Sequence, residues 1–342
     1  MVNSQKKTAM LWSPAQGRKV QCILCAHRCL INPGRLGRCR VRLNEDGELK
    51  SLNYAMLVAM NVDPVEKKPL FHFLPGSPSL SIACAGCNFQ CEFCQNWQIS
   101  QIPGDGRIEG QFTSPADVVT AAIDSGCPSI SYTYTEPTIY FETAYECATL
   151  ARQKGIRNIF VSNGYLTPEA IEVIAPFLDA INVDLKAFRD ETYRRVMKAR
   201  LDPVLECLRE LVARKIWVEV TTLVVPGMND STQELTDIAE FISQELGEDV
   251  PWHVTRFHGD YLMSNGATTP LQTLMDAARI GLEAGLKHVY CGNVTGLADE
   301  NTYCPGCGHK VIARVGYSID KIDLQNGNCP KCHRPVAGFW KA

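Results

Sequence analysis

The sequence predicts an α/β protein: a partial, open (β/α) barrel with a small cysteine-rich region before it and a zinc-ribbon-like tail after it. The barrel is read from two kinds of segment that alternate between Leu80 and Cys291. Short apolar or β-branched runs fall at 80–83, 128–134, 156–161, 179–185, 216–225, 252–257 and 287–291. Helical patterns near 114–126, 138–154, 167–177, 190–214, 231–246 and 269–285 lie between them. Strands that alternate with helices form parallel βα units. Ser114-Pro, Thr167-Pro-Glu and Ser231-Thr-Gln-Glu234 supply the helix starts. The appendages are read from the cysteines. Of sixteen, twelve gather at 22–39, 84–94 and 304–332, and the other four (Cys127, Cys147, Cys207, Cys291) are isolated and expected to be buried packing residues. The expected regions are therefore 1–76, 77–295 and 296–342.

Composition excludes several classes. An apolar content of 45% and a charged content of 21% suit a soluble globular protein. The net charge of −3 gives no reason to expect nucleic acid or an anionic membrane surface as partner. No apolar run reaches the roughly 18–20 residues of a membrane span, and no signal-peptide pattern opens the chain. The chain is read as cytoplasmic, where disulfides are rare and cysteine clusters serve metals.

Residues 1–19 are polar and expected to be loosely packed. Cys22-Ile-Leu-Cys25-Ala-His-Arg-Cys29 follows, with Cys39 ten residues on, wrapped around turns at Pro33, Gly34 and Gly37. So short a loop-rich segment builds little core, and a metal would provide its cohesion. Zinc on Cys22, Cys25, Cys29 and Cys39 is the simplest tenant, and an auxiliary iron–sulfur cluster is the rival. His27 lies between the ligands and is read as an exposed loop residue. Residues 41–79 read as an extended section with a turn at Glu45-Asp-Gly47, ending in a Lys67, Lys68 and His72 run that either borders a site or is a solvated surface.

The first apolar run of the barrel empties into Cys84-Ala-Gly-Cys87-Asn-Phe-Gln-Cys91-Glu-Phe-Cys94. Cys87, Cys91 and Cys94 have the spacing C-x3-C-x2-C. Three thiolates on one tight loop can hold three irons of a [4Fe–4S] cube and leave the fourth open. Such clusters normally take four protein thiolates, so another ligand must complete the site. A zinc knuckle is the rival, although zinc loops usually pair one C-x2-C with another. Cys84 could close the cluster as a fourth thiolate; it is read instead as a small buried residue ending the strand.

Every later strand ends in polar residues: Thr135-Glu136, Ser162-Asn163-Gly164, Asp184-Leu-Lys186, Asn229-Asp230, Arg256-Phe-His258 and Gly292-Asn293. In βα barrels the chemistry sits at this rim. Asp184 and Lys186 could also be a plain strand-end ion pair. The tail carries Cys304-Pro-Gly-Cys307 and Cys329-Pro-Lys-Cys332, a zinc-ribbon or rubredoxin-like pair of knuckles that closes one four-sulfur site. It reads as a structural lid or partner-docking module.

The cysteine loop, Ser162-Asn-Gly, Asp184-Leu-Lys186, Val224-Val-Pro-Gly227 and His258 resemble the radical S-adenosylmethionine (SAM) enzymes, and among them the activating enzymes of glycyl-radical enzymes such as pyruvate formate-lyase. Over its whole length the chain is similar to the radical enzymes of the AmmeMemoRadiSam system, which share the N-terminal cysteines, the Cys94-Gln-Asn-Trp97 ending and the cysteine-paired tail. The resemblance implies a radical SAM oxidoreductase with a [4Fe–4S] cluster on Cys87, Cys91 and Cys94 whose open iron takes the amino and carboxylate groups of SAM. It implies that a one-electron donor such as flavodoxin or ferredoxin drives cofactor cleavage, and that the resulting 5′-deoxyadenosyl radical takes hydrogen from a substrate, either a protein residue or a small molecule. By the same carry-over Thr135 and Glu136 meet the methionine amine. Ser162, Asp184, Lys186 and His258 hold the carboxylate, ribose and sulfonium end, and Phe93 lies beside the adenine. Two departures stand out: the glycine pair before Glu136 is replaced by Tyr134 and Thr135, and Val161 stands where the activating enzymes have an Asp that helps hold a monovalent cation. The competing class is a non-enzymatic metal–thiolate scaffold that docks protein or RNA.

Overall fold

In the computed structural model of the chain, the strand–helix alternation becomes a nine-stranded sheet. The structure describes residues 6–103, 107–294, 296 and 300–341. The strands are β1 (Met56–Pro64), β2 (Pro78–Cys84), β3 (Gln111–Phe112), β4 (Ser129–Tyr132), β5 (Arg157–Ser162), β6 (Ala180–Asp184), β7 (Trp217–Val224), β8 (Trp252–Arg256) and β9 (Val289–Gly292). Across the sheet they run β9-β8-β7-β6-β5-β4-β2-β1-β3, and β9 and β3 are its two edges. From β2 through β4 to β9 every neighbouring pair is parallel. The result is an α/β partial barrel with a central parallel sheet, open along one side.

The barrel strands are buried on both faces because helices cover one side and the barrel interior the other. Helices Pro115–Asp124, Phe141–Gln153, Pro168–Ile174, Asp202–Ala213, Thr232–Phe241 and Leu271–Glu283 lie between the strands. Three start where the sequence signals them, with the hydroxyls of Ser114, Thr167 and Ser231 accepting from the amides of Asp117, Ala170 and Glu234. The single helix expected over 190–214 is split. Lys198 adopts φ 59°, and Pro203 starts a fresh helix at its first turn, the position where a proline costs no hydrogen bond.

The N-terminal residues depart from expectation as well. Residues 1–5 lie outside the described residues, but Lys7–Thr8 pairs with Lys50–Ser51 and Trp12–Ala15 pairs with Lys19–Cys22. The polar composition hid these strands because their outer faces are solvated. β1 falls within the segment assigned to the N-terminal region, yet it pairs antiparallel with β2 along most of its length. The boundary drawn at 295/296 falls where residues 295 and 297–299 lie outside the described residues. Among the described residues no helix is long and apolar enough to cross a membrane.

Residues 65–77 cross beneath the N-terminal ends of the strands and form a floor. Val65, Leu70, Phe73 and Leu74 pack on Ile159 and Ala180, with Trp217 against them. Glu219 on β7 accepts from the amides of Phe71 (3.0 Å) and His72 (2.8 Å), and lies 2.7 Å from His253 Nε2. The C-terminal module, whose strands are Thr302–Tyr303, Lys310–Val315 and Ser318–Ile322, seals this floor from below. The amide of Leu74 donates to the Phe339 carbonyl and that of Phe339 to the His72 carbonyl, each at 2.7 Å. Arg314, only 4% exposed, lies over the Phe71 ring at 4.5 Å and donates to the Phe71 carbonyl at 2.6 Å. The tail thus belongs to the barrel's base.

Candidate active site

A cavity of 410 Å³ fills the barrel between this floor and the cysteine loop. β2 is buried along nearly its full length and delivers the loop to the C-terminal rim. The loop is fixed by its backbone: Gln90 N donates to the Met197 carbonyl at 3.0 Å and Gly86 N to the Ile99 carbonyl at 2.8 Å. Phe89, 1% exposed, anchors it edge-on against Tyr165 and Tyr193.

Cys87, Cys91 and Cys94 all line the cavity. Burial pushes the Cys87 thiol well up, with Glu136, Cys91 and Cys94 adding repulsion; burial also raises Cys91 to about 12, against the pull of Lys186. Converging thiols of which Cys87 and Cys91 resist ionisation alone are a donor set that a cation would neutralise. Their sulfurs are nevertheless not gathered for a single ion. Zn–S bonds of about 2.3 Å allow two sulfurs on one ion to be no more than about 4.6 Å apart. Among the described residues, the only set of three or more such ligands whose atoms all lie within 4.8 Å is Cys304, Cys307, Cys329 and Cys332. The wider loop set suits thiolates that each bind a separate iron. Two N–H donors stand close by: the Phe89 amide lies 3.4 Å from Cys87 Sγ, and Asn88 Nδ2 is buried with no partner among the described residues.

Cys84 stays apart from this set. It is fully buried, and its thiol is raised by burial and faces the Thr143 hydroxyl and the Met56 backbone. The four isolated cysteines are buried too.

The strand ends meet the loop across the cavity mouth. Glu136 is 2% exposed; its Oε1 accepts from Thr138 N (3.0 Å), Thr138 Oγ1 (2.5 Å) and Ser162 Oγ (2.8 Å), and its Oε2 from Asn163 N (2.8 Å). Glu136 and Ser162 therefore clamp one another, and Asn163 Nδ2 carries the clamp on to Asn88 Oδ1 at 2.7 Å. Thr135 donates its hydroxyl to the Cys84 carbonyl at 2.7 Å. The missing glycines leave a trace, for Tyr134 sits at φ 61°, a conformation costing roughly 1–2 kcal/mol for a residue with a Cβ. Its hydroxyl is held by Asp63 and its ring by Lys68 at 4.8 Å.

Asp184 and Lys186 form an ion pair at 2.7 Å, and both line the cavity. Burial alone would lower the Lys186 pKa; Asp184 and then Cys91 outweigh it and raise it. Phe93 also lines the cavity and is 3% exposed. His258 does not join them. It is exposed on the outer rim, 3.2 Å from Gln95 Nε2.

The sequence reading left out most of the cavity's lower half. Lys67 and Lys68 do line it, but Asp63, which holds them at 2.9 and 2.6 Å, was overlooked. So were His253 on β8 and, from the C-terminal module, Glu300 and Tyr317. Asp63, embedded in an otherwise apolar run before Pro64, was the available signal. His72 is buried in the floor, bonded to Ala337 O and Tyr290 Oη.

In the tail, Cys304 and Cys332 Sγ lie 3.5 Å apart and Cys307 and Cys329 Sγ 3.7 Å apart. Burial pushes the Cys329 thiol up, but the amides of Cys332 and Lys331 and the sulfurs of Cys307 and Cys304 bring it down to about 6. These four sulfurs could hold a single metal ion.

Residues 81–242 match the family described as the Radical SAM superfamily. The chain is 42% identical over 332 residues to the uncharacterized protein MJ0808 of Methanocaldococcus jannaschii, covering 96% of this chain and 98% of the relative. It is 28% identical over 112 residues to the (2S)-3-sulfopropanediol dehydratase activating enzyme of Klebsiella oxytoca, covering 33% of this chain and 35% of that enzyme. The fold is shared with a radical SAM methyltransferase from Sphaerobacter thermophilus, at TM-score 0.51 and 15% identity over 64% of this chain and 67% of that one.

Proposed function

Because the chain belongs to the radical SAM superfamily, we propose that it reductively cleaves SAM at a cluster on Cys87, Cys91 and Cys94 and takes a hydrogen atom from a substrate held in the barrel. The observation that carries this reading is the convergence of these three thiols, without Cys84, on the mouth of a charged interior cavity. When bound, the cluster and SAM supply one-electron cleavage of a C–S bond and a carbon radical strong enough to abstract hydrogen. The chain's own residues bind and orient. Asp184 and Lys186 offer one carboxylate and one ammonium to the polar parts of the cofactor. Phe93 offers an aromatic face, and the Glu136–Ser162 clamp holds Thr135 and Asn163 in place. The loop and the floor together keep bulk water from the reacting atoms.

The activating-enzyme relative supports a partner protein as the substrate, and the resemblance of the cysteine loop to radical SAM enzymes supports a one-electron donor such as flavodoxin or ferredoxin. The N-terminal cysteines, Cys94-Gln-Asn-Trp97 and the paired tail support a place in the AmmeMemoRadiSam group. The tail's four-sulfur geometry supports structural zinc. A docking scaffold would need no enclosed, charged interior. Anaerobically reconstituted, reduced protein should release 5′-deoxyadenosine and methionine from SAM, and Cys91→Ala should not. Absence of both products from protein that carries its full complement of iron would refute the proposal.

A further inference from the structure

The lower half of the cavity carries a ligand chemistry of its own. On the parallel strands β6, β7 and β8, Asp184 is in register with Thr221 and Thr221 with His253, and all three line the cavity. Glu219 lies two residues before Thr221, on the same face of β7 and nearer the floor. Its oxygens are occupied. Oε1 accepts from the His72 amide (2.8 Å) and Trp217 Nε1 (3.0 Å), and Oε2 from the Phe71 amide (3.0 Å) and His253 Nε2 (2.7 Å). A carboxylate only accepts, so the hydrogen of a neutral His253 ring sits on Nε2 and leaves Nδ1 as an acceptor. Among the described residues Nδ1 has no hydrogen-bond partner.

Other acceptors around this layer are unspent. Glu66 is 1% exposed; its Oε1 accepts from the Gly76 amide at 2.8 Å, while its buried Oε2 has no partner among the described residues. Thr221 Oγ1 is buried without a partner as well. Glu300 spends Oε2 on the Gly316 amide at 2.7 Å. Glu66 and Glu300 line the cavity with Thr221. The cations that line it are already held: Lys67 and Lys68 by Asp63 at 2.9 and 2.6 Å, and Lys186 by Asp184 at 2.7 Å. Arg314 Nε stands 4.0 Å from Glu66 Oε1, beyond hydrogen-bond range, and its Nη atoms are spent on the Thr302 hydroxyl and the Phe71 carbonyl, each at 2.6 Å. Burial pushes the Glu66 carboxyl up, with Glu219 adding repulsion, against the pull of the Gly76 amide and Arg314. A buried carboxylate with an empty oxygen is costly. A cation entering the cavity would remove that cost, and an anion would add to it.

We propose that this layer binds an ammonium or guanidinium group of the substrate, with Glu66 and Glu300 as its carboxylates and His253 Nδ1 and Thr221 Oγ1 as its neutral acceptors. Such groups carry three or five donors and no acceptor, which matches a set made of acceptors. With its charged end at the floor, the rest of the substrate extends toward Asp184, the neighbour of Thr221 in register, and so toward the residues offered to the cofactor. Calling this ligand a substrate rests on the reading of the barrel as a radical SAM reaction chamber; the cation site itself does not.

The test is equilibrium binding of n-butylammonium to the reconstituted full chain, beside butan-1-ol and butyrate, at constant ionic strength. SAM is present throughout, which keeps the probe out of the cofactor's own place, and binding is read by saturation-transfer NMR and by the rise in melting temperature. Butylammonium should bind at least about tenfold more tightly than butan-1-ol, and butyrate should not bind. Glu66→Gln, which keeps Oε1 for the Gly76 amide, and Glu300→Gln should each weaken butylammonium at least about tenfold, whereas Lys67→Met should not weaken it. Nα-acetyl-lysine methylamide, run alongside, separates the two sources of such a group. Tighter binding than butylammonium identifies a side chain of a partner protein, and weaker binding a free amine. A parent that prefers butyrate, or that does not distinguish butylammonium from butan-1-ol, overturns the proposal even where a variant fails to fold. Undiminished affinity in folded Glu66→Gln and Glu300→Gln overturns it too. Failure of the radical SAM reading looks different: no 5′-deoxyadenosine from SAM in a parent that still binds butylammonium.

Discussion

Asp63→Asn is the most informative single change in the lower cavity. Asp63 accepts from Lys67 (2.9 Å), Lys68 (2.6 Å), Ser81 (2.8 Å) and the Tyr134 hydroxyl. Lys68 is 1% exposed and its ammonium pairs with no other carboxylate. Removing one partner of a buried pair costs about 3–5 kcal/mol. At about 2 °C per kcal/mol for a large chain, the melting temperature should fall by about 6–10 °C at pH 7. The pH dependence gives a second check. Burial brings Lys68 down to about 8, against the pull of Asp63, below an unfolded value of about 10.4. The unfolded chain therefore binds the extra proton between those values, and the Lys68 contribution to stability rises with pH across that window. Without Asp63 the folded value drops further, so the deficit of the variant should be deepest at mildly acidic pH and shrink as pH rises to about 8. Burial alone would raise the Asp63 carboxyl, but Lys68, Tyr134, Lys67 and Ser81 outweigh it and hold it well below the usual range. The parent should therefore lose this stabilisation as pH falls below about 4, and the variant should not. Thermal melts from pH 3 to 10 on both proteins measure all of this. A loss under about 1 kcal/mol, or a deficit that does not change with pH, would show that Lys68 is not held as a buried cation.

Three other outcomes follow from the site. Glu136→Gln sets an amide N–H against the donors of a fully satisfied carboxylate; it should cost about 2–4 kcal/mol and lower iron loading through the Asn163–Asn88 link, measured by denaturant melts and iron content. Asp184→Ala should weaken SAM binding at least about tenfold in equilibrium titration while stability changes by no more than about 1 kcal/mol; unchanged affinity would make the Asp184–Lys186 pair purely structural. If the tail holds the proposed zinc, Cys329→Ser should abolish its binding and, because the tail seals the barrel floor, lower the melting temperature of the whole chain rather than of the tail alone, which calorimetry with zinc analysis distinguishes.

The parallel barrel was legible because its strands are short apolar runs with capped helices between them, a pattern local to each unit. The loop cysteines and the rim residues Glu136, Ser162, Asp184 and Lys186 were legible because barrel topology sends every strand end to one rim. The floor was not. Glu219, His253 and Arg314 meet residues 65–77 and one another only through contacts between distant parts of the chain, such as Arg314 with Phe71. Single buried charges leave no periodic trace in a sequence. His258 stands exposed, 3.2 Å from the cavity-lining Gln95, for a strand-end position fixes the rim a residue stands on but not which way its side chain turns. For the N-terminal cysteines the choice between one ion and a cluster is not legible in the sequence, because it depends on how the fold spaces the sulfurs.

The central claim is a loop cluster with one open iron. It is tested most directly by electron paramagnetic resonance of the reduced, reconstituted protein with and without SAM, on the parent, Cys84→Ala and Cys87→Ala. The account predicts a [4Fe–4S]+ resonance that SAM shifts in the parent and in Cys84→Ala, and no SAM-responsive signal in Cys87→Ala. A resonance that SAM leaves unchanged in the parent, or one lost in Cys84→Ala, would contradict it.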